Sequence, residues 1–327
     1  MDTLNSSIKT AYELHGCNDA GQWDALIDSS PQGHIFSKSD FLSSLGMPYS
    51  CHVVTDSQGQ VLAGVAVLTD GLKMVQAPFA FTPHQGIVFS NLVCLLNAQK
   101  RLTVQFRITE FLINELLNIY SNFSMALSPF FKDMRPFLWH KYGKKKEEQF
   151  DIKLRYTGFI NLQNFNLNEF LSTVRTVRRQ EYKKSVARIQ KTTDLKSFLS
   201  LYQQTFERQG LNISTDTISL VHRICEHALS KGYGHLSAAY IGDRIASMAF
   251  FVKDAKCAYY LFGASDPSMR DANASSKLLL DNIAEYAHQG MMRFDFVGVN
   301  SPQRGDFKLS FNAELMPYHE VHLSAHA

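Results

Sequence analysis

The sequence predicts an α+β chain of two similar lobes, each a mixed, mostly antiparallel sheet flanked by helices. Three observations carry this expectation. Residues 234–298 alternate short apolar runs with turn signals: HLSAAYI, Gly242-Asp243, RIASMAFFV, KDAK and CAYYLFGA, then a polar loop, a helical periodicity and RFDFV. Apolar runs of this length bounded by turn residues are strands, and Gly-Asp between two of them is a hairpin signal. The same order of helices, antiparallel strands, helix and strand recurs in the first half. The length, 327 residues, is enough for two ordinary domains. The expected division is 1–160 and 161–327, with a cleft between the lobes.

The elements follow in order. Trp23, Leu26 and Ile27 mark a helix over Ala20–Ser29, broken by Ser30-Pro31-Gln32-Gly33. Phe36–Leu45 is a second helix, with Ser39 or Asp40 in its first turn. His52–Thr55 and Val61–Leu68 are strands around the turn Asp56-Ser57-Gln58-Gly59, and Lys73–Ala80 is expected as a third. Ile87–Phe89 is short and apolar. Phe106, Ile108, Phe111, Leu112, Leu116 and Ile119 predict a long amphipathic helix over Arg101–Tyr120, followed by a strand at Ser124–Leu127. Tyr156–Leu162 is strand-like. Asn168–Lys191 is the most basic stretch and is expected to be helical, with an apolar side at Leu171, Val174 and Val177. Helices are expected at Leu195–Arg208 and Thr217–Ser230, with Asp194 and Ser214 as caps. Leu278, Leu279, Ile283, Tyr286 and Ala287 mark a last helix, ended by Gly290. Arg293–Val297 and His319–Leu323 are strands.

Composition narrows the class. Hydrophobic residues are 45% and charged residues 19%, as in a globular chain. A net charge of +3 is too small to argue for bulk nucleic-acid binding. The 5 cysteines have no CxxC pair, which predicts reduced thiols and a cytoplasmic location. The first ten residues lack the apolar centre of a signal peptide, and no run of about 18 apolar residues predicts a membrane span. No HxxxH pair falls on an expected helix among the 12 histidines, so no metal is expected.

Charged clusters supply the candidate site. In Asp133-Met134-Arg135-Pro136-Phe137-Leu138-Trp139, Arg135 could clamp a phosphate or carboxylate under Trp139, or Asp133 and Arg135 could merely pair. Arg175, Arg178 and Arg179 form either a phosphate-facing ridge or a solvated helix face. The GKKKEE stretch from Gly143 is a solvated loop. Arg270-Asp271-Ala272-Asn273-Ala274-Ser275 sits where a strand hands over to a helix. Helix N-terminal amides plus an arginine make an anion site, and Asn273 tolerates left-handed backbone.

Several segments together resemble a known family. They are DMRPFLW, YTGFINL, VRRQEYKKS, YIGDRIASMAFF, YYLFGAS, FDFVG and FKLSFNAELMPY, in that order across roughly residues 30–323. The second half resembles the GNAT acyltransferase superfamily, and the whole chain resembles its Fem-like branch, in which two GNAT-like lobes are fused. The resemblance implies transfer of an activated acyl or aminoacyl group to an amine of a cell-envelope or polysaccharide precursor, such as a nucleotide sugar. Acyl-CoA, acetyl-CoA in particular, is the implied donor, with aminoacyl-tRNA as the alternative. A non-catalytic binding or scaffold role in envelope biosynthesis is the other class. GNAT enzymes hold the donor pyrophosphate in a loop Arg/Gln-x-x-Gly-x-Gly/Ala. Arg270, Asn273 and Ser275 occupy those positions here, so both glycines are replaced. Longer Fem-like members insert a helical arm, for which the stretch between Lys191 and Gly234 has no room. Lys308 matches a lysine of the Fem-like C-terminal motif, which implies stabilisation of a phosphate or an oxyanion. Asp295 or Tyr259 is the implied base, with a structural anchor as the other role for Asp295. Asp133, Arg135, Trp139, Arg175, Arg178 and Arg179 are the candidate acceptor contacts.

Overall fold

The computed structural model describes residues 12–207 and 212–324. The first ten residues, and the Arg208 end of the helix expected from Leu195, lie outside them. In chain order the first elements are β1 (Glu13–Gly16), α1 (Ala20–Ser29), α2 (Ser39–Ser44), β2 (Tyr49–Thr55), β3 (Val61–Asp70), β4 (Lys73–Met74), β5 (Ile87–Phe89), α3 (Asn91–Cys94), α4 (Ala98–Ile119), β6 (Phe123–Ala126) and α5 (Arg135–Trp139). Then come β7 (Asp151–Asn161), α6 (Leu167–Thr173), α7 (Thr176–Lys184), β8 (Arg188–Thr192), α8 (Leu195–Glu207), α9 (Thr215–Ser230), β9 (Gly234–Ile241), β10 (Arg244–Lys253), β11 (Cys257–Ser265), α10 (Ala274–His288), β12 (Arg293–Asp295), α11 (Pro302–Leu309) and β13 (Glu314–Leu323). The chain forms two compact units. One comprises Met1–Ser39, Met47–Leu154 and Tyr318–Ala327, the other Asp40–Gly46 and Arg155–Pro317. The boundary falls inside β7 and again inside β13.

In the first unit, β1, β2, β3 and β4 pair antiparallel in that order, and β5 pairs with β3. The end of β13 pairs antiparallel with β6. Helix α4 lays Ile108, Leu112, Ile113 and Leu116 into a core with Val65, Ile87, Phe123 and Val321. Helix α1 docks through Trp23, whose indole donates to the Ser37 carbonyl at 2.7 Å. That close approach requires Gly64 on β3, where a Cβ would meet Leu26 and Trp23 side-chain atoms at 2.7 and 2.8 Å.

Three expectations change here. The strand expected over Lys73–Ala80 is reduced to Lys73–Met74, since Pro78 cannot donate to a ladder. The helix expected from Phe36 begins as a 3-10 turn, Ile35–Ser37, and becomes α-helical only from Ser39. The basic stretch Asn168–Lys191 is two short helices and a strand rather than one helix. It breaks at Val174-Arg175, where the Arg175 amide donates to Ser310 O at 3.0 Å instead of continuing the helix. Arg188 and Lys191 therefore lie on β8.

The second unit has strand order β7-β12-β11-β10-β9-β8, antiparallel except for the parallel pair β11–β12. Helices cover both faces because side chains alternate along a strand. Phe250 on β10 points to α8, 6.4 Å from Phe198, while Phe251 points the other way, 5.7 Å from Tyr286 of α10. Ser214 and Asp194 accept from first-turn amides of α9 and α8, as expected of caps. Arg223 of α9 fastens α2 by donating to the carbonyls of Ser44 and Leu45 at 3.0 and 2.8 Å. No described helix is long and apolar enough to cross a membrane. Among the described residues no group of three or more His, Cys, Asp or Glu is placed to hold a metal ion.

Phe251 is fully buried among Tyr260, Tyr286 and Phe294. Phe251→Ala is expected to destabilise the second unit by about 3–5 kcal/mol. Far-UV circular dichroism during urea denaturation measures it, because both tryptophans, Trp23 and Trp139, lie in the first unit.

Candidate functional site

The site begins with an irregularity in β11. Phe250 pairs with Phe262 and Phe251 with Tyr260, so Leu261 is an extra residue, a β-bulge. Without it, Tyr260 and Phe262 would share a face. With it, Phe262 turns to Tyr202 of α8 at 5.7 Å, and Tyr260 turns to the α10 side, 5.7 Å from Phe251. The parallel pairing of β11 with β12 covers only Cys257–Tyr259 against Arg293–Asp295. Beyond it the chain after β12 stays with β7, through Phe296 N to Gly158 O at 2.9 Å and Val299 N to Tyr156 O at 3.2 Å. A cavity of about 400 Å³ lies along the C-terminal half of β11, lined there by Tyr260, Gly263, Ala264 and Ser265. The Tyr260 hydroxyl occupies the space over Gly263, where a Cβ would meet it at 1.8 Å.

A tight turn after β12 forms one side of the gap. Val297 has φ of 52° and Gly298 has φ of 66°. A β-branched residue in left-handed backbone costs about 1–3 kcal/mol and persists only where its surroundings hold it. Here Asp295 holds it from inside, accepting from Val297 N at 2.7 Å and from the Thr157 hydroxyl at 2.5 Å. Lys308 of α11 holds it from the other side, donating to Val297 O at 2.7 Å and Gly298 O at 3.1 Å. Its ammonium is 5.6 Å from the Tyr260 ring centre. Helix α11 comes close enough because Gly305 lies on the Val299 backbone, where a Cβ would meet Val299 O at 2.3 Å. Burial pushes the Asp295 carboxyl up from 3.8 to about 6, against the pull of Thr157, Val297, Lys308 and Arg293. Burial likewise brings the Lys308 ammonium down from 10.5 to about 8, with Asp295 opposing. Burial raises Tyr260 to about 12, so it stays a protonated donor.

The start of α10 forms another wall. Asn273 is left-handed, φ of 56°, and its side chain makes no capping bond, so the first amides of the helix keep no side-chain acceptor. Arg270, Asn273, Ala274, Ser275 and Ser276 all line the cavity, and Arg270 is exposed at it. Behind them the hydroxyls of Ser247, Ser265 and Ser275 form a triangle with sides of 3.0, 2.8 and 3.0 Å. Arg178 of α7 lies over the Phe307 ring at 5.0 Å and donates to Glu181 at 2.6 Å and to Ser276 at 3.0 Å. The Ser276 hydroxyl also donates to Glu181.

Four residues from the sequence reading therefore line one cavity: Arg178, Arg270, Asn273 and Ser275. Asp295 is fully buried and meets the turn rather than the cavity wall. Tyr259 faces away from Tyr260 and donates to Asp254 Oδ2 at 2.6 Å. Arg175 is bound bidentately to Asp306, and Arg179 donates to Ser172 O at 3.4 Å. In the first unit, Arg135 forks onto Asp133 at 2.8 and 2.6 Å and lies 5.5 Å from the Trp139 ring. Tyr260, Glu181, Phe307 and two members of the serine triangle, Ser247 and Ser265, escaped the sequence reading. The Tyr259-Tyr260 pair was visible, but the bulge that selects the second of them carries no sequence signature.

Two outcomes are expected. Gly305→Ala should cost about 1–3 kcal/mol in denaturation, because the obstacle is backbone and cannot rotate aside. The second outcome concerns pH. Asp295 has its folded value raised, so the native state binds more protons than the unfolded chain between 3.8 and about 6. Stability from this group thus grows as pH falls through that window. Relative to Asp295→Asn, the wild type should gain on the order of 2–3 kcal/mol on going from pH ~7 to pH ~4. Lys308, with its folded value lowered, works the other way: its penalty is relieved as pH rises from about 8 toward 10.5.

Comparisons with known proteins bear on the fold. Residues 170–309 match the family model described as an acetyltransferase (GNAT) domain. No curated protein matches the sequence. Among solved structures, FemX is similar with a TM-score of 0.66 at 13% identity, over 94% of this chain and 96% of that one. A tandem GNAT protein from the clavulanic acid biosynthesis pathway gives 0.52 at 13% identity, over 95% and 98%. The C-terminal domain of a putative lysylphosphatidylglycerol synthetase from Agrobacterium fabrum gives 0.54 at 11% identity, over 93% and 92%. The chain has the fold of two fused GNAT-like lobes, and the match to the GNAT acetyltransferase domain model lies within the second of them.

Proposed function

We propose that this chain is an N-acyltransferase that moves an acyl group from acyl-CoA to an amine. One observation carries the proposal: a single cavity joins an uncapped helix start with Arg270 to Tyr260, over whose ring the Lys308 ammonium lies. Amides of a helix N-terminus and an arginine fit a diphosphate. The residues present suit that group: Arg270 has no ion-pair partner among the described residues, and no side chain caps the helix. The replaced glycines leave these amides in place and narrow the approach to them.

The chemistry follows from the other end. The amine attacks the thioester carbonyl, charge gathers on the carbonyl oxygen, and the C–S bond then breaks. A protonated phenol and an ammonium are suited to that developing charge. Tyr260 donates to the oxygen or to the departing sulfur, with Lys308 adding its field. Two carboxylates, Glu181 and Asp266, line the cavity, and Glu181 is our candidate to take the amine's proton. Asp295 acts through the turn and through Lys308. The acceptor we propose is an amine on a cell-envelope or polysaccharide precursor, in the cytoplasm. The fold shared with FemX and the free state of all five cysteines are in keeping with that.

Calorimetry with acetyl-CoA tests the donor. Arg270→Ala should weaken binding by about 1–3 kcal/mol, the range for a lost charge-assisted bond. Tyr260→Phe should lower kcat about 10²-fold with KM little changed. The pH profile of kcat should rise near pH ~6 as Asp295 ionises and fall near pH ~8 as Lys308 loses its proton, with Lys308→Met removing the upper limb. No acetyl-CoA binding, with activity destroyed by ribonuclease, moves the donor to aminoacyl-tRNA. Binding without turnover of any amine makes the chain a binding protein instead.

A further inference from the structure

The first unit carries a surface unrelated to the cavity. Helix α5 has two sides. Pro136 and Phe137 are buried, with Phe137 packed edge-on against Phe123 and Phe150 at 5.9 and 5.2 Å. The other side presents Leu138 and Trp139, which are 56% and 52% exposed, and the next turn presents Tyr142 at 81%. Leu102, one turn before Phe106 on α4, extends the patch, since Phe106 touches Trp139 at 5.4 Å.

Lysines border this patch. Lys141, Lys144, Lys145 and Lys146 follow directly, all exposed, against Glu147 and Glu148. Lys141 pairs with Glu148 at 3.5 Å, and the other three have no ion pair among the described residues. The segment is held in shape. Lys141 and Gly143 take left-handed backbone, φ of 47° and 75°. Tyr142 N donates to Trp139 O at 3.1 Å, Lys144 N to Lys141 O at 3.0 Å, and the Gln149 amide to Lys144 O at 2.9 Å.

We propose that residues 138–146 are a docking surface for an anionic lipid bilayer. Aromatic rings with a polar edge settle at the depth of lipid headgroups, and leucine inserts just below. Lysine is a strongly hydrated point charge that stays with the headgroups, and a cluster of lysines is drawn to an anionic leaflet. A protein partner fits less well, because protein interfaces are rich in arginine and poor in lysine. The arginine here, Arg135, is committed to Asp133. Single-stranded nucleic acid needs open ring faces for stacking. The Trp139 ring instead lies against Arg135 and Phe106.

The protein has an internal reporter. Trp23 is 1% exposed and Trp139 is 52% exposed, so a change in indole emission on binding comes from Trp139. The full chain is mixed with vesicles of phosphatidylcholine alone, or of equal parts phosphatidylcholine and phosphatidylglycerol. Expected are a blue shift and co-sedimentation with the anionic vesicles only, both weakened by added salt. The triple variant Lys144→Glu, Lys145→Glu, Lys146→Glu, on exposed positions, should bind about tenfold or more weakly while keeping the wild-type circular dichroism. A second variant, Trp139→Phe, should co-sediment without the blue shift. No co-sedimentation, equal binding to both vesicles, or binding untouched by charge reversal overturns the proposal. So does polyuridylate bound in place of the vesicles. None of these readouts depends on acyl transfer.

Discussion

The buried Asp295 carboxylate is the constraint on which the candidate site depends. It ends β12 after three residues by taking the Val297 amide and the Thr157 hydroxyl, and so folds the chain into a left-handed turn. That turn offers two carbonyls to Lys308, and Lys308 in turn faces the Tyr260 ring. A β12 that continued along β11 would close the gap. The sheet therefore gives up ladder bonds at this point, and the space beside β11 becomes a cavity.

Such an arrangement is costly, and the costs indicate what it is for. Val297 is β-branched with φ above zero, Asp295 is a carboxyl without exposure, and Lys308 has an enclosed ammonium. Each is unfavourable on its own. Together they hold one another: the carboxylate keeps the lysine charged, and both keep the turn. A fold seeking stability alone would put apolar residues at these positions. Perturbed titration, strain and an adjoining cavity in one place are the usual company of chemistry.

The two units spend their polar residues differently. The second gathers hydroxyls, a phenol and an ion pair around one cavity. The first carries its most exposed aromatics beside lysines at the surface. Similar fold, then, does not mean similar use, because what a site does is set by side chains at sheet ends and on loops.

By itself the sequence determined the regular elements and the kind of fold. Hairpin turns, apolar strand runs, the caps at Asp194 and Ser214 and the stop at Gly290 are local in cause, so they were legible without a structure. The left-handed Asn273 was legible for the same reason: its short side chain tolerates that backbone. Tertiary structure decided what was not local. Arg175 leaves its helix because Ser310, far along the chain, offers a carbonyl. Tyr260 rather than Tyr259 meets the cavity because Leu261 finds no partner on β10. Arg178 keeps to the cavity while Arg175 is drawn off by Asp306, since which charge pairs with which depends on distances that spacing along a chain does not encode.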